Sequence, residues 1–351
     1  MIKSIHLKNI RSFTDSVFKF EEGINLIVGD NGSGKTTLME SVGLFAFGRL
    51  LSVEHDALVV RSNEVAGRIE AEFYDNERSS SSVGLSSKEK IVEVAGARVP
   101  VSNLIGLQPQ IFFNPETVDI VAGSPVVRRR EMDVMILEID HKFVTDLLNY
   151  KKILKERNML LRRIALGTAK RNELDFWDEK LANYAIKIYK TRIKLLDFYN
   201  QRINDVFKKL SDRDRELKLK YIPSCDYGRF REVLVAKTES DAESGSTSVG
   251  PHRDDFTFMF SHHPMREGAS RGEQRLAAVA YKALGREYLL QAGIDPIIIL
   301  DDVFSELDQV RRSSVAKVLN LSKAKQVIIS ATDEKVIPDN LMNSANVIKL
   351  N

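Results

Sequence analysis

Residues 29–36 read Gly29-Asp30-Asn31-Gly32-Ser33-Gly34-Lys35-Thr36, and this octet decides the fold. It fits the spacing G-x-x-x-x-G-K-[ST] of a phosphate-binding loop. Its glycines let backbone N–H groups turn inward around phosphates. Lys35 can then reach the β- and γ-phosphates, and Thr36 can ligate Mg²⁺. The flanks give the motif its weight. Ile24-Asn25-Leu26-Ile27-Val28 reads as a buried strand, and Thr37 onward carries Leu38, Val42, Phe45 and Ala46 at helical spacing. A helix N-terminus behind the loop adds positive partial charge toward an anion. The octet needs a second half, a strand ending in a carboxylate that supports the metal. Ile297-Ile298-Ile299-Leu300, followed by Asp301-Asp302, supplies it. Asp301 is the metal-supporting carboxylate, and Asp302 is placed to polarise the attacking water. Such a pair after an apolar run is also an ordinary cap or turn; its presence beside Gly29–Thr36 in one chain favours catalysis. About 265 residues separate Thr36 from Asp301, so something large is inserted between two halves of one nucleotide-binding sheet.

Outward from the site, residues 2–10 alternate and predict a strand. Residues 65–74 and 90–99 predict hairpin strands, with Ser79 to Ser82 and Ser86-Ser87 as a solvated loop between them. From about 128 the character changes. Gly167 is the only glycine up to 222, charges crowd in, and apolar residues recur at helical spacing through Leu147, Leu154, Leu161, Leu174, Leu181, Ile188 and Leu195. This predicts two long helices joined near 167–172, each arm about 40 residues or roughly 60 Å. Trp177 falls in the core of that pattern. Residues 236–250 are polar and predict a flexible segment. Phe256, Phe258 and Phe260 alternate as in a strand; 270–291 and 309–321 read as helices, and 327–329 as another buried strand. The expected domains are a head, 1–125 plus 218–351, and a helical lobe, 126–217, forming an antiparallel hairpin.

The 351 residues carry 52 Lys+Arg against 49 Asp+Glu, a net +3, so overall charge announces no polyanion. Forty-three per cent hydrophobic and 29% charged residues describe an ordinary globular chain and exclude disorder. One cysteine, Cys225, excludes an intrachain disulfide framework and a cysteine-rich zinc site. The opening residues, MIKSIHLKNIRSF, hold no signal-peptide core, and no apolar run reaches the length of a membrane span, about 18 residues. A cytoplasmic, nucleoid-associated protein is the expectation.

A nucleotide site whose halves bracket a helical insertion resembles the ATP-binding-cassette (ABC-type) ATPases associated with DNA, which include the structural-maintenance-of-chromosomes proteins. The fold this implies is α/β, an ABC-type P-loop ATPase head with an inserted helical lobe. Ser270-Arg271-Gly272-Glu273-Gln274-Arg275 resembles the signature loop with which one protomer closes over its partner's nucleotide. Ser305-Glu306-Leu307-Asp308 resembles the D-loop. The narrower resemblance is to the RecF family of bacterial recombination mediators. It rests on Leu7 to Phe13; on Gly123-Ser124-Pro125 with Arg128-Arg129-Arg130 and Asp133; on Gly250-Pro251-His252-Arg253-Asp254-Asp255; and on Leu300 to Asp308. Membership implies weak ATPase activity, ATP-driven dimerisation, DNA binding, and work with RecR and RecO at gaps and stalled forks. It implies that Arg11 lies near the nucleotide, that Ser270 and Gly272 contact ATP across the dimer, and that Glu273 and Asp308 belong to the ATP-binding residues. It departs from transport cassettes at Ser330-Ala331-Thr332-Asp333, where the switch histidine is absent and Thr332 is the substitute. Phe113-Asn114-Pro115-Glu116 occupies the place of the Q-loop, with Asn114 or Glu116 in the glutamine's role. Glu273 stands where related loops often carry glutamine.

Other residues have two readings. Arg128-Arg129-Arg130 can meet DNA phosphates or a neighbouring protomer, or form a solvated helix start balanced by Glu131 and Asp133. Lys187, Lys190, Arg192 and Lys194 make either a DNA-facing stripe or an ordinary solvated face. His252 with Asp254, Asp255, His262 and His263 lacks a fixed metal-ligand spacing. Cys225 has no neighbour that would activate it. A transporter subunit is disfavoured by the missing switch histidine. A long-armed nuclease partner is disfavoured by arm length and the lack of a Cys-x-x-Cys hook. A vestigial scaffold is disfavoured by intact Lys35, Thr36, Asp301 and Asp302.

Overall fold

The computed structural model describes residues 1–50, 55–75, 80–211, 215–305 and 307–350. The alternation at the start of the chain becomes β1 (Ile2–Ile10), with Ile2, Ile5, Leu7 and Ile10 buried. β1 turns tightly through Arg11-Ser12 into β2 (Phe13–Lys19). β3 (Gly23–Val28) leads into the glycine loop and then α1 (Lys35–Phe47). β4 (Ala66–Phe73), β5 (Ser80–Ser86), β6 (Lys90–Val94), β7 (Ala97–Val99) and β8 (Gln110–Phe113) follow.

The serine-rich stretch corrects the expectation of a loop. Ser80–Ser82 open β5, which pairs with β4 on one side and β6 on the other. Ser81 and Ser82 are buried, and Ser82 Oγ donates to Glu93 at 3.0 Å. Val83 and Leu85 supply the apolar face that pulls the segment into the sheet. Ser79 lies outside the described residues.

The chain then builds α2 (Asp119–Ala122), α3 (Pro125–Leu137), α4 (His141–Ala165), α5 (Leu174–Asn200) and α6 (Ile203–Lys208). β9 (Leu217–Ile222), α7 (Phe230–Ala236), α8 (Thr238–Ser244), β10 (Asp255–Phe260), β11 (His263–Pro264) and α9 (Met265–Gly268) precede α10 (Arg271–Gln291). Last come β12 (Ile297–Asp301), α11 (Gln309–Val318), β13 (Gln326–Ala331), α12 (Asp339–Met342) and β14 (Asn346–Lys349).

Two compact units emerge: 1–117 with 279–351, and 118–278. The expected division at 125/126 and 217/218 differs mainly in assigning 218–278 to the head. Those residues form β9, β10 and β11, a separate three-stranded antiparallel sheet, and β9 and β10 pack on α3, α5 and α6.

The first unit holds a six-stranded antiparallel sheet, in the order β2-β1-β4-β5-β6-β7, and a five-stranded parallel sheet, β14-β3-β13-β12-β8. α1 packs against strands of both, and Leu38, Val42 and Phe45 share one core with Leu7, Ile69, Ile27, Ile299 and Ile328. A helix apolar on nearly every face belongs in such a sandwiched position.

In the second unit the expected pair of arms is shorter and broken. α4 has 25 residues and α5 has 27, about 40 Å each at 1.5 Å per residue. Asp140 stops continuity with α3 by capping α4, accepting from the N–H groups of Lys142 and Phe143. Trp177 is half-buried against a small satellite cluster that includes Leu160, Leu161 and Leu174.

Residues 236–250 are not a flexible tether. α8 occupies much of the segment, and Asp241 and Thr247 are fully buried. Arg157 of α4, 0% exposed, explains why. Its guanidinium donates to Asp178 at 2.6 Å, Asp241 at 3.0 Å and Thr247 at 2.8 Å. The polar composition that suggests solvent is consumed by one interior cation.

Candidate nucleotide site

β3 and β12 are not adjacent; β13 lies between them and pairs in parallel with both. This register places the glycine loop and the Asp301-Asp302 pair at the same carboxyl end of the sheet, where open α/β sheets bind ligands. A cavity of about 320 Å³ opens there. It is lined by Arg11, Ser12, Asn31, Gly32, Gly34, Lys35, Thr36, Thr37, Asp301 and Asp302. Most of the predicted nucleotide residues thus converge from opposite ends of the chain.

The loop is tightly determined. Lys35 Nζ donates to the carbonyls of Gly29 at 2.6 Å and Asp30 at 2.9 Å, and Ser33 N donates to Asp30 O at 3.2 Å. Gly34 has φ +99°, and a Cβ there would sit 2.5 Å from the Phe13 ring. The β1–β2 hairpin therefore presses directly on the loop. Its turn residue Arg11 adopts φ 45°, a left-handed conformation that costs a non-glycine residue about 1–3 kcal/mol. In return the guanidinium reaches Thr37 Oγ1 at 3.2 Å and the buried Glu40 carboxylate at 3.4 Å.

The acidic end is organised by one residue of β13. Ser330 Oγ donates to Asp301 Oδ1 at 2.5 Å and accepts from the Asp302 N–H at 3.0 Å. Burial raises the Asp301 carboxyl above its ordinary pKa, and hydrogen bonds from Ser330 and Thr36 oppose that shift. Asp302 also sits at positive φ, 53°, and its Oδ1 accepts from the Ser305 hydroxyl. Sequence reasoning missed Ser12 and Ser330. Ser12 had a signal, since it adjoins Arg11. Ser330 had none until the Asp301–Ser330 pairing of β12 and β13 was known.

The other predicted residues lie elsewhere. Ser270 and Glu273 form a capping box at the start of α10. Ser270 N and Oγ both donate to Glu273 Oε2 at 2.8 Å, and Glu273 N donates back to Ser270 Oγ at 3.3 Å. This gives Glu273 a local task that accounts for an acid there; Gly272 follows the first residue of the helix. Asp308 caps α11 by accepting from Arg311 N at 2.9 Å, and Glu306 lies outside the described residues. Thr332 is exposed just beyond β13. Asn114 follows β8, its Oδ1 accepting from Thr117 Oγ1 at 3.0 Å, and neither it nor Glu116 lines the cavity.

The remaining motifs form a buried polar network in the second unit. Arg128, 1% exposed, makes a bidentate pair with Asp255 at 2.8 Å, so the balancing acid is not the local Glu131 or Asp133. Asp133 instead pairs bidentately with Arg192 at 2.9 Å, and Arg192 also donates to Pro251 O at 2.7 Å. Arg192 is 2% exposed, which removes it from any DNA-facing stripe. Asp254 accepts from Tyr221 and Tyr227 hydroxyls and from Ser224 N. His252 is engaged by Tyr150 and by Thr247 O. Burial pushes the Cys225 thiol up to about 11, as suits an unreactive cysteine.

The family described as the RecF/RecN/SMC N-terminal domain matches residues 1–349. The chain is 30% identical over 356 residues to the DNA replication and repair protein RecF of Lachnospira eligens, covering 100% of this chain and 97% of that one. It is 28% identical to the protein of that name from Staphylococcus aureus, over 100% and 98% of the two chains. A solved structure, described as the recombination mediator protein RecF with ATP in the RecFOR pathway, superposes with a TM-score of 0.88 at 28% identity, covering 96% of this chain and 93% of that one. An Smc head bound to the C-terminal winged-helix domain of ScpA superposes at 0.57 with 16% identity, a likeness of fold. The α/β core with its P-loop and Asp301-Asp302 strand is an ABC-type ATPase head, and the chain belongs to the RecF family.

Proposed function

We propose that this chain is an ATP-dependent DNA-binding protein of recombinational repair and replication-fork maintenance, in which ATP drives a dimer that grips DNA and slow hydrolysis releases it. One observation carries the nucleotide half of that reading: a single cavity joins Lys35 and Thr36 to Asp301 and Asp302. The DNA half rests on full-length similarity to proteins named for DNA replication and repair.

The chemistry follows from the residues. Lys35 leaves the Gly29 and Asp30 carbonyls for the β- and γ-phosphates, and the loop N–H groups and the α1 N-terminus surround the anion. Arg11 adds a cation at the cavity wall. Thr36 hydroxyl and Asp301 carboxylate are hard oxygen donors lining the same cavity, a donor set that suits Mg²⁺. Bound there, Mg²⁺ would neutralise charge on the β- and γ-phosphates. Asp302 accepts the proton of the attacking water, and Ser330 and Ser305 hold it in place. Ser270, Gly272, Glu273, Asp308 and Thr332 line no part of the cavity; the role of Ser270 and Gly272 is to complete a partner protomer's site, and Thr332 stands in for the switch histidine. DNA contacts fall mainly on phosphates and are salt-sensitive, without sequence preference. RecR, with RecO, is the expected protein partner, in the cytoplasm at the nucleoid.

Sedimentation with Mg²⁺ and ATP, with and without duplex DNA, tests the reading. ATP should convert monomer to dimer, Lys35→Met and Ser270→Arg should abolish the conversion, and Asp302→Asn should trap the dimer with DNA bound. A chain that stays monomeric with ATP and ignores DNA sinks the proposal.

A further inference from the structure

The second unit contains a recess that the nucleotide chemistry does not use. It has a volume of about 390 Å³, within the range of about 300–1,000 Å³ occupied by bound ligands. Val126, Val134, Leu137, Leu147 and Pro251 form apolar walls, and Arg129, Arg130 and Lys151 bring cations to it. The remaining lining groups carry no net charge. Asp133 and Arg192 neutralise each other through their bidentate pair. His252 Nε2 faces the Thr247 carbonyl at 3.0 Å, so that nitrogen carries the proton. Its Nδ1 therefore accepts from the Tyr150 hydroxyl at 2.6 Å, and both rings are neutral and spoken for.

Arg129 is the group left in want of an anion. Its one hydrogen bond among the described residues is to a neutral acceptor, the Asp254 carbonyl, at 2.7 Å. Three carboxylates act on it from farther away, and each has its own partners. Asp255 holds Arg128, Asp133 holds Arg192, and Asp254 accepts from two tyrosines and Ser224. Burial, and then the like charge of Arg192, lower the Arg129 pKa. A half-buried guanidinium held among committed acids gains most from an anion brought to it from outside.

The walls select which anion. A nucleic-acid backbone needs a solvated track of cations and aromatic faces free for bases. Here the cations share the recess with aliphatic side chains, and its two rings, Tyr150 and His252, are hydrogen-bonded to each other. A carboxylate carried beside an aliphatic side chain satisfies both halves. Val126 at the mouth is 64% exposed and Lys151 is exposed, so a longer chain can continue outward. We propose that this recess is a docking site for an acidic peptide segment of a protein partner, with an aliphatic side chain against Val134, Leu137 and Leu147 and a carboxylate on Arg129 and Lys151.

Fluorescence anisotropy on the full chain tests this, with a fluorescein-labelled peptide Glu-Asp-Glu-Ile-Leu as probe. Binding should weaken at least tenfold, about 1.4 kcal/mol, in each of Arg129→Gln, Lys151→Glu and the rim plug Val126→Trp. It should weaken similarly when the probe's acids become amides, and should fall with salt. Val126 and Lys151 are exposed, so those two variants keep the test independent of folding defects. Three results overturn the proposal. The first is no binding by about 1 mM probe, or binding unchanged in all three variants. In the second, the variants lose duplex DNA but retain the peptide, which makes the recess a nucleic-acid contact. In the third, 4-methylpentanoate displaces the probe with equal affinity, which makes it a site for a free small acid. No nucleotide is added, so failure here leaves the ATP site untouched.

Discussion

Ser330 is a single hydroxyl with two tasks, donating to Asp301 and accepting from the Asp302 backbone. Ser330→Ala removes both bonds while changing little volume. Displacing a metal-supporting carboxylate and a water-polarising one should slow ATP hydrolysis about tenfold to a hundredfold. The Mg²⁺ concentration for half-maximal ATP-driven dimerisation should rise, while metal-free ATP binding, read by equilibrium dialysis, stays close to wild type. Unchanged Mg²⁺ dependence would remove Ser330 from this role. His252 gives a residue-scale prediction in pH. Burial lowers its pKa to about 4 against an unfolded value of 6.5, so the unfolded chain binds the proton first as pH falls. The stability that neutral His252 preserves is complete above pH 6.5 and is lost as pH drops toward 4. Between pH 7.5 and 5 the loss is about 2 kcal/mol. Denaturant unfolding at the two pH values, repeated on His252→Gln, checks whether that slope belongs to this ring.

Arg157 sets the scale of elements, because one side chain ties α4 to α5 through Asp178 and to α8 through Asp241. Arg157→Leu would strand two buried carboxylates, of which Asp178 already has a pKa raised by burial. The expected cost is about 3–5 kcal/mol, measured by chemical denaturation. A loss below about 1 kcal/mol would mean the acids find water or each other. The same cluster shows why part of the chain was hard to read. Residues 236–250 look like a solvated linker because serines, acids and threonines dominate, and no local pattern reveals a buried arginine about 80 residues upstream. Ser80–Ser82 misled for a related reason: sheet pairing on both sides outweighs low intrinsic strand preference. By contrast, β1, β3, α1, β12 and β13 were legible, because alternation, fully apolar runs and the glycine octet are local signals. Most of the nucleotide cavity came with them. The arginines of 128–130 were visible as a cluster, but their partners were not, since Asp255 and the Asp254 carbonyl lie over 100 residues away in sequence.

For the whole molecule, the nucleotide should act as a stabilising ligand of the folded state. ATP with Mg²⁺ at about 100 times its dissociation constant should add about 2.7 kcal/mol, read as a rise in thermal midpoint. Lys35→Met should abolish the rise. Gly34→Ala should do the same and lower the midpoint itself, because its Cβ meets the Phe13 ring in a left-handed backbone. A shift of equal size in Lys35→Met would place the nucleotide elsewhere.

The parallel sheet orders β14-β3-β13-β12-β8, so a strand made from residues 23–28 finds both its neighbours only after residue 326. The antiparallel sheet beside it needs nothing beyond residue 99. During synthesis the two sheets must therefore mature at different times. Much of the β1–β7 sheet can pair as soon as it leaves the ribosome, whereas the glycine loop waits, its strand edges bare, for nearly the whole chain. Closing contacts of such sequence separation is slow. A nascent chain halted before residue 326 would carry every residue of the octet, and Asp301 and Asp302 too, without β13, the strand that sets them side by side.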